Sequence, residues 1–299
     1  MLTEHSIVEL RKRTQRWRAI NQKVALVPTM GNLHAGHIAL VKHAQQLADR
    51  VVVSIFVNPM QFGPKEDFAA YPHTPDADKL QLAVAGTDLL FKPELDEVYP
   101  GGMDKVSRVE VPAFDGILDG ASRPGHFTGV ATVVSKLFNM VQPDVAVFGE
   151  KDYQQLLVIR RMTADLCMPV QVVGYPTVRE TDGLAMSSRN QYLTKSERAQ
   201  APLLRRVLSE TGALLRDGNK GFADLQTQAQ RRLTAGGFRP DYVEIRNADT
   251  LAPADAGDPR LVVLAAAWLG KARLIDNLPL DLGIAQDRTL VLSQPETVG

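Results

Sequence analysis

At 299 residues the chain can form one large domain or two ordinary ones, and with 44% hydrophobic and 23% charged residues it has the composition of a globular protein with a sizeable core. Its 34 basic and 34 acidic residues cancel, which excludes a broad electrostatic footprint for nucleic acid or an anionic membrane. A single cysteine, Cys167, excludes an intramolecular disulfide; no apolar run reaches the roughly 20 residues of a spanning helix, and the first residues carry no signal-like apolar stretch, so a cytoplasmic protein is expected.

Five β-branched runs, at residues 24–28, 51–57, 88–91, 145–148 and 170–174, alternate with helix-patterned segments. This predicts an α/β fold built on a Rossmann-like, doubly wound parallel sheet. Between the first two runs, Ile38, Leu40, Val41, Ala44 and Leu47 recur at helical spacing and complete a βαβ unit. After Pro176 the texture changes. Residues 196–216 and 223–235 read as amphipathic helices, and 242–246 and 261–267 as strands, which predicts a smaller α+β C-terminal domain. The boundary is expected at 175–177, dividing 1–176 from 177–282. The polar stretch 283–299 has no expected packing role, beyond at most an edge strand at 289–292.

The strongest local signal is Pro28-Thr29-Met30-Gly31-Asn32-Leu33-His34-Ala35-Gly36-His37, between an apolar strand and an apolar-striped helix. Open α/β sheets bind ligands outside the carboxyl ends of their strands, and a helix start with unpaired N–H groups attracts an anion such as phosphate. The spacing imitates a phosphate-binding loop but has His37 where that loop has lysine and Ile38 where it has Ser or Thr, so it is not a Walker loop. Two histidines three apart can donate a proton or a strong hydrogen bond to phosphate oxygens. The plainer alternative is that they merely cap the helix or face water; a zinc pair is disfavoured because no third ligand has suitable spacing.

His34-Ala35-Gly36-His37 resembles the H-x-G-H motif of the nucleotidylyltransferase superfamily, whose members also carry a mobile loop where Met186-Ser187-Ser188-Arg189 stands here. Further segments resemble the pantothenate synthetase (pantoate–β-alanine ligase) family. They are VSIFVNPMQF at 53–62, ASRPGHF at 121–127, FGEKDYQQ at 148–155, DGLAMSSRN at 182–190 and AWLGKARLIDN at 267–277. The resemblance covers roughly residues 1–280.

It implies a homodimeric enzyme that uses ATP with Mg2+, activates pantoate as an acyl adenylate and passes the acyl group to β-alanine, releasing AMP and pyrophosphate. It further implies that His34, His37, Lys151 and Arg189 are catalytic. Nucleotide contacts extend over Met30 to His37, Gly149, Glu150, Lys151, Asp152, Val178 and Met186 to Arg189, with Asp152 on the ribose or the magnesium side. Gln61 and Gln155 match the pantoate-binding pair: a neutral amide can donate to a carboxylate and accept from a hydroxyl without quietening the nucleophile as lysine would. Met30 and Phe62 would wall the geminal methyls, and Arg123 and His126 would touch substrate at the margin. Outside this context, Lys151–Asp152 would read as a surface charge pair and each glutamine as a packing amide. Three rival readings remain: an adenylyltransferase that leaves the nucleotide on its product, usually a shorter chain; a class I aminoacyl-tRNA synthetase, disfavoured by neutral charge and no anticodon-binding extension; and a non-catalytic nucleotide sensor.

Overall fold

A computed structural model of the protein describes residues 1–283 apart from Lys65, Asp67, Ala69 and Ala70; the polar stretch beyond, with the strand expected at 289–292, lies outside the described residues. The first half runs β1 (Leu2–Glu4), α1 (Ile7–Ala19), β2 (Val24–Thr29), α2 (Ala35–Leu47), β3 (Arg50–Ile55), α3 (Pro75–Val84), β4 (Leu89–Phe91), α4 (Leu95–Val98), α5 (Leu118–Ser122), α6 (His126–Val141), β5 (Val145–Gly149), α7 (Tyr153–Asp165) and β6 (Gln171–Tyr175). The second half runs α8 (Lys195–Gln200), α9 (Leu203–Arg216), α10 (Phe222–Ala235), β7 (Arg239–Asn247), β8 (Arg260–Leu269) and β9 (Ala272–Asp281).

The six-stranded sheet is parallel throughout, in the order β1-β4-β3-β2-β5-β6. Strand order reverses between β2 and β5, which makes their carboxyl ends the switch point where such sheets take ligands. The pairing there is short. β2 matches β3 over six residues but matches β5 only at Ala25/Val145 and Leu26/Ala146, so the two strands part before their carboxyl ends. Both faces of the sheet are covered, as βαβ crossovers require. Ala25, Val27, Val51 and Val53 pack with Leu40, Val41 and Ala44 of α2 on one face, while Val24, Leu26 and Val52 pack with α6 and α7 on the other.

β7, β8 and β9 form an antiparallel sheet that is also buried on both faces. Alternation along β8 sends Leu261, Val263, Ala265 and Ala267 toward α9 and α10, and Val262, Leu264 and Ala266 into the core of the first half. An uninterrupted apolar run is the consequence.

Several expectations need correction. The helix expected at 196–216 is two: Pro202 lacks an N–H and its ring crowds the carbonyl one turn back, so α8 stops at Gln200 and α9 restarts at Leu203. β9 lies where the pattern predicts no strand, because Arg273, Asp276 and Asn277 break its apolar alternation. β1, three residues long, is too short to show a pattern, and the long helices α1, α6 and α7 are not individually predicted.

Candidate active site

The turn after β2 is held from below. Asp78 of α3, 1% exposed, accepts the backbone N–H of Asn32 at 2.9 Å and of Leu33 at 2.8 Å, and the Thr74 hydroxyl at 2.9 Å. His34 then caps α2 through Nδ1, which accepts the Gly36 N–H at 3.1 Å, and His37 Nδ1 accepts the His34 N–H at 3.3 Å. The N–H groups of Asn32, Leu33, His34 and Gly36 are therefore spent within the protein, which leaves fewer unpaired backbone N–H groups at this helix start than expected. Capping and chemistry are not rivals, since each ring caps with one nitrogen and keeps the other.

With both Nδ1 atoms accepting, each ring carries its proton on Nε2. The ring centroids stand 4.1 Å apart. Burial, and then the Lys151 charge, pushes His34 down to about 4; burial, then His34 and Lys151, pushes His37 down to about 3. At neutral pH both are uncharged hydrogen-bond donors, not proton donors. Gly36 is required for this pairing: a Cβ there would lie 2.8 Å from His34 Cε1 and 2.9 Å from its Nδ1.

A cleft of about 220 Å³ opens at the switch point. It brings together Met30, His34, Gly36 and His37 from the β2 side, Gly149, Lys151, Asp152 and Gln155 from the β5 side, Gln61, and Val178 with Met186 through Arg189 from the later loop. Lys151 Nζ lies 3.8 Å from Asp152 Oδ1. The Ser188 hydroxyl donates to the Asn32 carbonyl at 3.2 Å, docking that loop on the histidine turn. Gly31, Asn32, Leu33, Ala35 and Glu150, expected to contact the nucleotide, do not line this cleft.

Gln61 sits on a single 3-10 turn, Pro59–Gln61, pressed against α6. Gly129 permits the approach, since a Cβ there would meet the Met60 carbonyl oxygen at 2.3 Å. Asn58, 1% exposed, donates to the Gly129 carbonyl at 3.0 Å and to Gln61 Oε1 at 3.3 Å, and accepts from the Tyr99 hydroxyl at 2.8 Å. Gln61 Nε2 in turn reaches Met30 Sδ at 3.1 Å. The apolar wall beside it comes from Val130, Val133, Val134 and Leu137 of α6. Phe62 is not part of that wall; its ring packs against Phe68 and Tyr71, and it is Tyr71 that lines the cleft.

Arg123 and His126 lie at a second, adjoining cleft of about 570 Å³ between the two halves, which shares Lys151, Asp152, Gln155, Ser187 and Arg189 with the first. Their polar atoms are engaged internally. Arg123 Nε and Nη2 each donate to Glu66 at 2.6 Å, and Nη1 donates to His126 Nε2 at 2.9 Å. His126 Nδ1 donates to the Gln61 carbonyl at 2.8 Å. Burial, then the neighbouring Arg123 charge, pushes His126 down to about 4, consistent with a neutral ring in this relay.

Asp78 and Asn58 brace the first cleft without lining it, Asp276 and Asn277 line the second, and the sequence motifs single out none of the four. Asn58 and the Asp276-Asn277 pair stand inside segments matched by resemblance, which is the available signal; Asp78 has none. Among the described residues no group of three or more His, Cys, Asp and Glu side chains could hold a metal ion, and no helix is long and apolar enough to cross a membrane.

The model of the family described as pantoate-beta-alanine ligase matches residues 3–279. The chain is 54% identical over 283 residues to the pantothenate synthetase of Hahella chejuensis, covering 95% of this chain and 100% of that one, and 57% identical over 282 residues to that of Azotobacter vinelandii, covering 94% and 100%. It superposes on pantothenate synthetase from Thermus thermophilus with a TM-score of 0.87 at 46% identity, over 95% and 100% of the two chains. Against the pantoate-beta-alanine ligase from Francisella tularensis, solved with beta-gamma ATP and beta-alanine, the TM-score is 0.77 at 34% identity, over 93% and 97%. With the switch-point cleft and this near-complete match in agreement, the chain belongs to the pantoate–β-alanine ligase family.

Proposed function

We infer that the chain condenses pantoate with β-alanine at the expense of ATP, through a pantoyl adenylate, with release of pyrophosphate and AMP. The observation that supports this most directly is one cleft holding two neutral imidazole donors, Lys151, and the amides of Gln61 and Gln155. Cations and N–H donors suit a triphosphate, and neutral amides suit a hydroxy acid whose carboxylate must remain a nucleophile.

A pantoate carboxylate oxygen attacks the α-phosphorus in line, the bond to the bridging oxygen breaks, and pyrophosphate leaves with that electron pair. The amine of β-alanine then attacks the acyl carbon, AMP leaves with the carbon–oxygen pair, and the amine proton passes to solvent. Little covalent work falls to the protein, so its part is placement and charge stabilisation. His34 and His37 donate through Nε2, Lys151 and Arg189 face the phosphates, and the docked Ser187–Ser188 loop keeps water from the mixed anhydride. Gln61 and Gln155 read the acid, with its methyls against Met30 and the α6 valines; Arg123 and His126 stand at the margin toward the second cleft.

Magnesium binds proteins through one or two carboxylates plus substrate phosphates, and a single half-exposed carboxylate at Asp152 suits that mode. When bound, the ion would neutralise phosphate charge. Residues 1–176 as a nucleotide- and pantoate-binding domain, 177–282 as a lid domain, a homodimeric assembly and a cytoplasmic location complete the reading. The deciding experiment supplies ATP with panels of hydroxy acids and amines: AMP should form only with pantoate and β-alanine together. AMP formed equally with another acid or amine would sink the assignment.

A further inference from the structure

β9 places two consecutive buried polar residues between the halves of the molecule: Asp276 is 4% exposed and Asn277 2%. Neighbours on a strand point to opposite faces. On β9 the flanking apolar residues follow the alternation, since Ile275 packs with the first-half core and Leu274 and Leu278 with the cluster under α9 and α10. Asn277 accordingly faces the first half, where its Nδ2 donates to the Glu150 carbonyl at 2.8 Å and the Lys151 carbonyl at 2.9 Å. Asp276 faces the other way and takes the Arg179 fork in a bidentate pair, at 2.7 and 2.9 Å. Arg179 also donates to the Gly183 carbonyl at 3.1 Å, inside the loop whose Met186 N–H returns to the Val178 carbonyl and which leads directly to Ser187–Arg189. The strand carbonyl of Asn277 is itself held by Arg205 of α9 at 3.2 Å.

Lys151 and Arg189 each stand on a short 3-10 segment, Glu150–Asp152 and Ser188–Tyr192. We propose that Asp276 and Asn277, with Arg179, are positioning residues that reference the Lys151 turn and the Ser187–Arg189 loop to one dipeptide of β9, so that the two cations facing the nucleotide phosphates keep a fixed separation. A donor to two successive carbonyls fixes the height and tilt of the Lys151 turn. A bidentate guanidinium–carboxylate pair fixes the orientation of the loop as well as its distance. Through these contacts the antiparallel sheet takes part in adenylation.

This rests on the two-step reading above, and the half-reactions separate the two. In the unsubstituted protein, pyrophosphate exchange into ATP with pantoate tests the adenylation itself; its absence would sink that reading and this proposal with it, whereas exchange that is present there but unaltered in the variants would sink this proposal alone. Asn277→Leu keeps the volume and removes the donor. The expected result is exchange lowered roughly tenfold to a hundredfold, the scale of a displaced group. The Michaelis constant for pantoate should stay within about twofold, and acyl transfer to β-alanine from chemically prepared pantoyl adenylate within about threefold, because the second step uses no triphosphate. Arg179→Lys keeps the charge and loses the fork, and should show the same split to a smaller degree; it carries the comparison should Asn277→Leu fail to fold. Equal losses in both half-reactions, or exchange within about threefold of the unsubstituted protein in a folded variant, would overturn the proposal.

Discussion

His37 Nδ1 accepts the backbone N–H of His34 at 3.3 Å, and this contact decides which ring nitrogen of His37 carries the proton. The same logic fixes His34 through Gly36 and His126 through Gln61. All three rings are neutral with folded pKa values below the usual 6.5, mainly through burial. Their contribution to stability is complete above about 6.5 and is lost as pH falls through about 4 and then 3, because the unfolded chain takes the protons first.

Unfolding free energy should therefore fall between about pH 6.5 and 5 with a slope approaching three protons, about 4 kcal/mol per pH unit at its steepest. Pyrophosphate exchange in the native protein should stay level from about pH 8 to about 5.5. An exchange profile that drops with an apparent pKa near 6.5 would mean that the rings titrate normally and that the tautomer argument fails.

His37→Ala and Lys151→Ala should each lower adenylation at least about a hundredfold, the usual scale for one preorganised electrostatic donor. Losing the capping contact at His37 should cost only about 1 kcal/mol of stability. Native circular dichroism with single-turnover adenylation nearly untouched would show that these side chains are structural.

Gly36→Ala separates ring placement from helix stability. Helix propensity favours alanine over glycine by up to about 1 kcal/mol and losing the His34 cap costs about as much, so the unfolding midpoint should hold nearly level. The new Cβ nevertheless meets the His34 ring at 2.8 Å and must displace it. Exchange should drop about tenfold or more with no loss of stability. Unchanged exchange would show that the ring needs no fixed seat.

Gln61→Ala and Gln155→Ala should weaken apparent pantoate affinity roughly tenfold to a hundredfold, as expected for losing a hydrogen bond to a charged group worth about 1.5–3 kcal/mol. ATP affinity without pantoate should barely move. Gln155→Glu should be worse than alanine, because it sets a carboxylate against the substrate's own. Equal damage to ATP binding would move both amides out of the acid pocket.

The elements legible in the sequence are those whose cause is local. The 3.6-residue stripe of Ile38 through Leu47 forecasts α2, and the β-branched runs forecast β2, β3 and β5, because burial on both sheet faces leaves continuous apolar strings. The histidine, lysine and loop motifs are visible because each is contiguous. What only the tertiary structure decided depends on residues far apart in the chain: Asp78 holding Leu33 across 45 positions, His126 holding Gln61 across 65, Asn277 holding Lys151 across 126. A buried polar side chain has no periodicity to betray it; its partner is a backbone group that any residue could supply, so sequence alone does not name the pair. The proton positions on His34 and His37 belong to the same class. They follow from which N–H groups the folded turn presents to each ring, and that turn takes its shape from Asp78 on another helix.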